Sequence, residues 1–174
     1  EVFNFKIANN LRLDENEDLT SSHQINQKTS NFFTETSFNP NKYINFKYNS
    51  SFRNNFSEIS SETLLSEFKF QNFSTSFTYL NENNTSKKNS YILNETSYNL
   101  DVNNQLMFST RKNKKTDLTE FYKLIYQYKN DCLVASIEYN KDYYNDRDIK
   151  PEESIFFKLT IIPLGETSSP DLKN

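Results

Sequence analysis

Apolar and polar residues alternate along most of this chain. Residues 3–13 set Phe3, Phe5, Ile7, Leu11 and Leu13 against Asn4, Lys6, Asn10 and Arg12. Residues 43–53 separate Ile44, Phe46, Tyr48 and Phe52 from Asn45, Lys47, Asn49, Ser51 and Arg53. The last such run, 154–163, sets Ile155, Phe157, Leu159 and Ile161 against Lys158 and Thr160. Successive side chains of a strand point to opposite faces, so a period of two predicts strands with one apolar and one polar face. Ten segments follow the rule: 2–13, 24–38, 43–53, 57–70, 73–80, 90–100, 105–112, 118–128, 132–142 and 154–163.

The connections alternate as well. Asn39–Lys42, Gln71–Asn72, Asp101–Asn104 and Lys129–Asp131 are expected as tight turns. Residues 14–23, 81–89, 113–117 and 143–153 are expected as longer polar loops, with 54–56 a weaker member of that set. Outer-membrane barrels have short periplasmic turns and long outer loops, and many of these segments are near the about 9–11 residues a tilted strand needs to cross a bilayer. The expected fold is therefore all-β: an antiparallel up-and-down transmembrane barrel segment of about ten strands. Counted back from residue 163, every tight turn falls on the periplasmic side. Strands occupy 1–164 in this reading, and 165–174 form a short periplasmic tail.

Composition sharpens the picture. Hydrophobic residues are only 34% of the 174, yet 16% are aromatic, with 16 Phe and 11 Tyr. Disordered chains are poor in aromatics, so low hydropathy here reflects strands wet on one face. Tyr98, Tyr122, Tyr126, Tyr128 and Tyr139 fall near strand ends, where amphipathic rings settle at a lipid boundary. Gly165 is the single glycine, which excludes glycine-rich phosphate loops and leaves turns to Asn, a residue tolerant of left-handed backbone. No run of about 18 apolar residues exists for a membrane helix. Net charge is −3 with signs interspersed, so no basic face for nucleic acid forms. Glu1 opens the chain without Met or signal peptide, as in a processed chain or a fragment.

Residues Asp131 to Gly165 carry a more specific signal. An acidic turn with Cys132 opens a strand, a tyrosine-rich loop holds Asp146, Arg147, Asp148, Ile149, Lys150 and Pro151, and a final apolar strand ends in Leu164-Gly165. This order of parts resembles the C-terminal end of the LptD family of outer-membrane lipopolysaccharide-assembly barrels; residues 43–128 share only its meander of strands. The resemblance implies a barrel of about 26 strands in the Gram-negative outer membrane, of which these ten would be the last. It implies lipopolysaccharide as cargo, outer-membrane lipids around the barrel, a plug lipoprotein of the LptE type and, through an N-terminal domain not in this sequence, a periplasmic lipopolysaccharide bridge. It makes 154–163, with Ile155, Phe157, Leu159, Ile161 and Pro163, one edge of a lateral exit seam. It also makes Cys132 a partner for an N-terminal cysteine; an ordinary unpaired cysteine is the alternative.

Asn45, Lys47, Asn49, Glu95, Glu138 and Lys158, on the polar positions of their strands, would face the lumen. Asp146, Arg147 and Asp148 read as a solvated loop braced by weak ion pairs, not as an acid–base site. The run Asp14–Asp18 with His23 could attract a cation, but reads first as a hydrated loop tip. No catalytic residue, metal site or cofactor is expected. Two other functions stay open: a self-contained small barrel, porin-like or an adhesive scaffold, and, ranked last, an outer-membrane hydrolase, for which His23 has no recognisable partner. Pairing of Phe3–Leu13 with 154–163 would mark the small barrel; two free edges would mark a fragment.

Overall fold

In a computed structural model, the described residues are 2–11, 29–53, 58–83, 88–143 and 151–162, with backbone strand placement also for 165–168 and 172–173. Among them no helix occurs; the chain is all-β. Ten strands run up and down in chain order: β1 (Phe3–Ala8), β2 (Phe32–Asn41), β3 (Ile44–Phe52), β4 (Ile59–Phe70), β5 (Phe73–Asn83), β6 (Lys88–Asn99), β7 (Asn104–Asn113), β8 (Leu118–Lys129), β9 (Leu133–Asp142) and β10 (Glu152–Ile161). Two short strands follow, β11 (Gly165–Ser168) and β12 (Leu172–Lys173), both antiparallel to β10. Strands β2 to β10 are 9 to 12 residues long, where the alternating segments run from 8 to 15. By contact the chain divides into two compact units, Glu1–Ser66 with Tyr79–Ser90, and Glu67–Thr78 with Tyr91–Asn174.

In the first unit, β1 pairs with β2 from Phe3↔Phe38 to Ala8↔Phe33, and β2 with β3 from Phe32↔Phe52 to Phe38↔Phe46. This register puts Phe3, Phe5, Ile7, Phe38, Phe46, Tyr48 and Phe52 on one face. Lys6, Glu35, Lys47 and Asn49 take the other. In the second unit, rows such as Phe108–Leu124–Tyr139–Ile155 and Leu106–Tyr126–Ile137–Phe157 run across β7 to β10 on one face. Ser109–Lys123–Asn140–Ser154 and Met107–Ile125–Glu138–Phe156 run across the other. Cross-strand neighbours match in polarity on the apolar face, which is how a sheet fixes its register; on the other face Met107, Ile125 and Phe156 share a row with Glu138.

No hydrophobic side chain is buried among the described residues; the buried ones are Asn31, Ser50, Ser51, Ser60, Ser90 and Ser154. Three of these lie close together. Asn31 Nδ2 donates to Ser51 Oγ and Ser60 Oγ, and Ser60 Oγ donates to the Ser51 carbonyl at 2.9 Å. An ordinary globular domain has the opposite arrangement.

Several details depart from the sequence reading. The long loop expected over 81–89 is only 84–87, because β5 continues to Asn83, where Asn81 Nδ2 donates to Glu62 Oε1 at 3.1 Å. The connection 114–117 has the same four residues as the turn 100–103. Loop asymmetry is therefore clear only for 42–43 and 71–72 against 53–58 and 143–151. Pro40 and Asn41, expected in a turn, end β2 beyond a register shift between Phe38 and Asn41, the kind of irregularity that lets a strand hold a proline. Residues 165–174, expected as a tail, contribute β11 and β12: the second edge of β10 carries backbone donors and acceptors that the segment satisfies.

The turns also work differently from expectation. Among the described non-glycine residues, the left-handed backbone falls on Gln71 (φ 38°) and Asp117 (φ 54°), not on Asn. Asn acts instead through its side chain, accepting backbone N–H groups two or three residues on. Asn41 Oδ1 takes Tyr43 N–H, Asn113 Oδ1 takes Lys115 and Thr116, and Asn130 Oδ1 takes Cys132 at 3.0 Å and Leu133 at 2.8 Å. Asp101 Oδ1 does the same for Asn103 and Asn104.

Candidate functional site

The two faces of β7 to β10 are chemically unlike. On the apolar face Leu124 is 47% exposed, Ile137 51%, Ile155 43% and Phe157 46%. These residues sit inside long strands with neighbours on both sides, so such exposure means that no second layer of protein covers them. From Ile161 to Ile155 the apolar band runs about 20 Å along β10, at about 3.3 Å per residue. Charge on this face is confined to the end bearing 114–117 and 143–151. There Lys112 pairs with Asp117 at 2.7 Å, and Lys141 with Glu153 at 2.6 Å. Tyr143 lies under the Lys141 ammonium, 5.6 Å away, and meets Tyr122 edge-on with centroids 5.9 Å apart. At the other end Tyr126 OH donates to Asn104 Oδ1, and Asn130 Nδ2 donates to Tyr128 OH at 3.3 Å. Tyrosines thus border the band on both sides.

The opposite face is a hydrogen-bonded polar surface. Lys123 Nζ lies 2.8 Å from Glu138 Oε1, which also accepts from Asn140 Nδ2 at 2.8 Å. A bulge opposite Arg111 and Lys112 makes Glu120 the extra residue, and its carboxylate takes Arg111 Nε and Asn113 Nδ2. The Arg111 guanidinium lies between the Tyr91 and Phe121 rings, at 5.5 and 5.3 Å. A depression of about 280 Å³ lies within this unit, with Met107 and Ile125 in its lining beside Glu95, Ser97 and Lys123. In the first unit Glu35 is shared by Lys6 at 3.2 Å and Lys47 at 3.6 Å. The apolar face of that unit gives way, toward the connection 53–58, to Tyr48 OH donating to Glu62 Oε2 and to the Thr34–Ser50 hydroxyl pair.

Asn45, Lys47 and Asn49 thus share one face of β3. Glu95, Glu138 and Lys158 share the polar face of the second unit, with Lys158 opposite Ser136. Ile155, Phe157, Leu159 and Ile161 share the apolar face of β10. Cys132 is exposed in the turn before β9; its N–H is held by Asn130, and its carbonyl accepts from Ile162 N–H at 3.0 Å. Pro151 is exposed just ahead of β10. Asp146, Arg147, Asp148, Pro163, His23 and the 14–18 acidic run lie outside the described residues. Sequence reasoning missed Lys123 as the partner of Glu138 and Glu120 as the partner of Arg111. It also missed Met107, Ile125 and Phe156 on the polar face. Register decides these pairings, and alternation within one strand does not report it.

No family model matches the chain, and no curated protein matches it.

Proposed function

We propose that this chain is part of an outer-membrane β-barrel, with its apolar face to lipid and its polar face to the lumen, that works in lipopolysaccharide assembly. One observation carries the membrane reading: the uncovered apolar residues Leu124, Ile137, Ile155 and Phe157 in a sheet among whose described residues no apolar side chain is buried. Burying such a side chain fully is worth about 1.5–3 kcal/mol, which a water-facing sheet would forgo in strand after strand. The charges agree, since Lys or Arg facing lipid at mid-bilayer costs about 2–4 kcal/mol and little near the interface.

The lipopolysaccharide half of the proposal rests on the likeness of residues 131–165 to the end of LptD barrels. In it β10 is one side of the lateral exit. Cys132 bonds to a cysteine of an N-terminal domain outside this sequence, and the partners are lipopolysaccharide, surrounding outer-membrane lipids, an LptE-type plug and the periplasmic bridge. No residue is assigned a catalytic role.

The test joins topology to cargo. Cysteines introduced singly at Asn83 and Lys114 should react with a membrane-impermeant thiol reagent on intact cells. Those at Asn41 and Asn103 should react only after the outer membrane is opened. Depleting the protein should lower surface lipopolysaccharide. Reversed labelling would overturn the topology; unchanged lipopolysaccharide would overturn the cargo.

A further inference from the structure

We propose that the depression on the polar face of the second unit is a binding site for a small organic cation, a primary ammonium carried on a short apolar body. The proposal stands on that unit alone and needs neither the membrane nor the lipopolysaccharide reading. The depression exists because small side chains lie beside large ones. Ser74 and Ser97 hold each other hydroxyl to hydroxyl at 2.7 Å, and Ser109 lies opposite Glu95, so little rises above the sheet there. Met107 and Ile125, directly opposite each other in β7 and β8, form an apolar wall. The volume of about 280 Å³ is close to the lower end of the about 300–1,000 Å³ common for small-molecule sites.

Its charges select the ligand. Lys123 Nζ lies 2.8 Å from Glu138 Oε1 and Lys69 Nζ 3.9 Å from Glu67 Oε2, so both lysines of the lining already face a carboxylate. The Glu95 carboxylate has no hydrogen bond or ion pair among the described residues. The site therefore offers one uncompensated negative charge beside an apolar wall. An anion would be repelled, and a neutral molecule would leave the carboxylate unused. Met107 pairs with Ser97, two residues from Glu95, which makes it the diagonal neighbour of the carboxylate across β6 and β7. Diagonal positions are about 7–8 Å apart. An ammonium held by Glu95 at about 2.8 Å thus sets the body it carries over Met107 and Ile125. An aromatic body gains a thioether contact there as well.

Met107 is the one methionine of this sequence, so its methyl group is a reporter inside the site. In the full-length protein its isotope-labelled resonance is assigned by its loss in Met107→Leu and followed at neutral pH. Phenethylammonium should shift it saturably. Phenethyl alcohol and phenylpropanoate, with the same ring but no cation, should each need at least about threefold more for half-saturation, the scale of a partly exposed ion pair. Glu95→Gln should weaken phenethylammonium by the same factor and leave the alcohol unchanged. No saturable shift, or alcohol that binds as well as the ammonium, overturns the proposal. So does an ammonium affinity that Glu95→Gln leaves unaltered. The three ligands compared on the parent chain decide the matter even where Glu95→Gln fails to fold.

Discussion

The two faces of β8 and β9 share one backbone and one hydrogen-bond ladder, yet they are built for different surroundings. Ile137 and Leu124 are about half exposed and touch no covering layer, while at the adjacent position of each strand Glu138 and Lys123 hold each other at 2.8 Å. A sheet folding in water would spend its apolar face on a core and leave its polar face loosely solvated. Here the polar side chains are the ones that are organised and, at Ser154, buried. The difference teaches that, among the described residues, nothing covers the apolar face of β8 and β9, while side chains of the polar face hold one another.

The largest test of that contrast puts the same charge on each face. Ile137→Arg should destabilise the membrane-inserted protein by about 2–4 kcal/mol and sharply reduce the fraction recovered in the outer membrane. Gln127→Arg, one step away on the neighbouring strand and on the polar face, should leave that fraction within experimental error. Equal tolerance of both arginines would mean water on both faces.

A middle-sized effect belongs to a group on neither face. Asn130→Ala removes two side-chain acceptor bonds in the β8–β9 turn and should cost about 1 kcal/mol, read as a lower urea midpoint. Its cost should be the same in detergent and in bilayers, whereas that of Ile137→Arg should differ between them. A solvent-dependent cost for Asn130 would blur the distinction between ladder and faces.

The face contrast was readable from sequence because period two survives in strand after strand. Residues 105–112, 118–128 and 132–142 became β7, β8 and β9 with ends shifted by at most one residue. What alternation hides is the offset between strands, so Lys123 could not be matched to Glu138 nor Arg111 to Glu120. Turn chemistry was half legible. Asn does punctuate the chain, but by accepting N–H groups, while Gln71 takes the left-handed angle between β4 and β5. Residues 165–168 and 172–173 carry no alternation long enough to predict a strand, yet both pair with β10.

The smallest effect is a titration. In the turn at 100–103, the Asn103 N–H and the Asn104 amide hold the Asp101 carboxyl below its ordinary value. A lowered folded value contributes stability above the unfolded value of about 3.9, which is lost as pH falls through the folded one. Asp101→Asn should therefore be less stable than the parent above about pH 5 and converge with it as acid-unfolding curves pass below about pH 4. Equal stability at neutral pH would show that this carboxylate contributes nothing to the turn.

The side-chain-locked turns have a kinetic consequence. Each long strand pairs with its neighbours in sequence, so the ladder from β6 to β10 can form by zipping from 100–103 and 130–132, with little chain to bring together. Isolated hairpins close in about 1–10 μs, and topologies rich in local contacts fold fast. A strand arriving from elsewhere in the polypeptide must instead pay the entropy of closing a long loop. The meander from β6 to β10 should thus form fast, and any pairing between strands far apart in sequence should set the slow phase of folding.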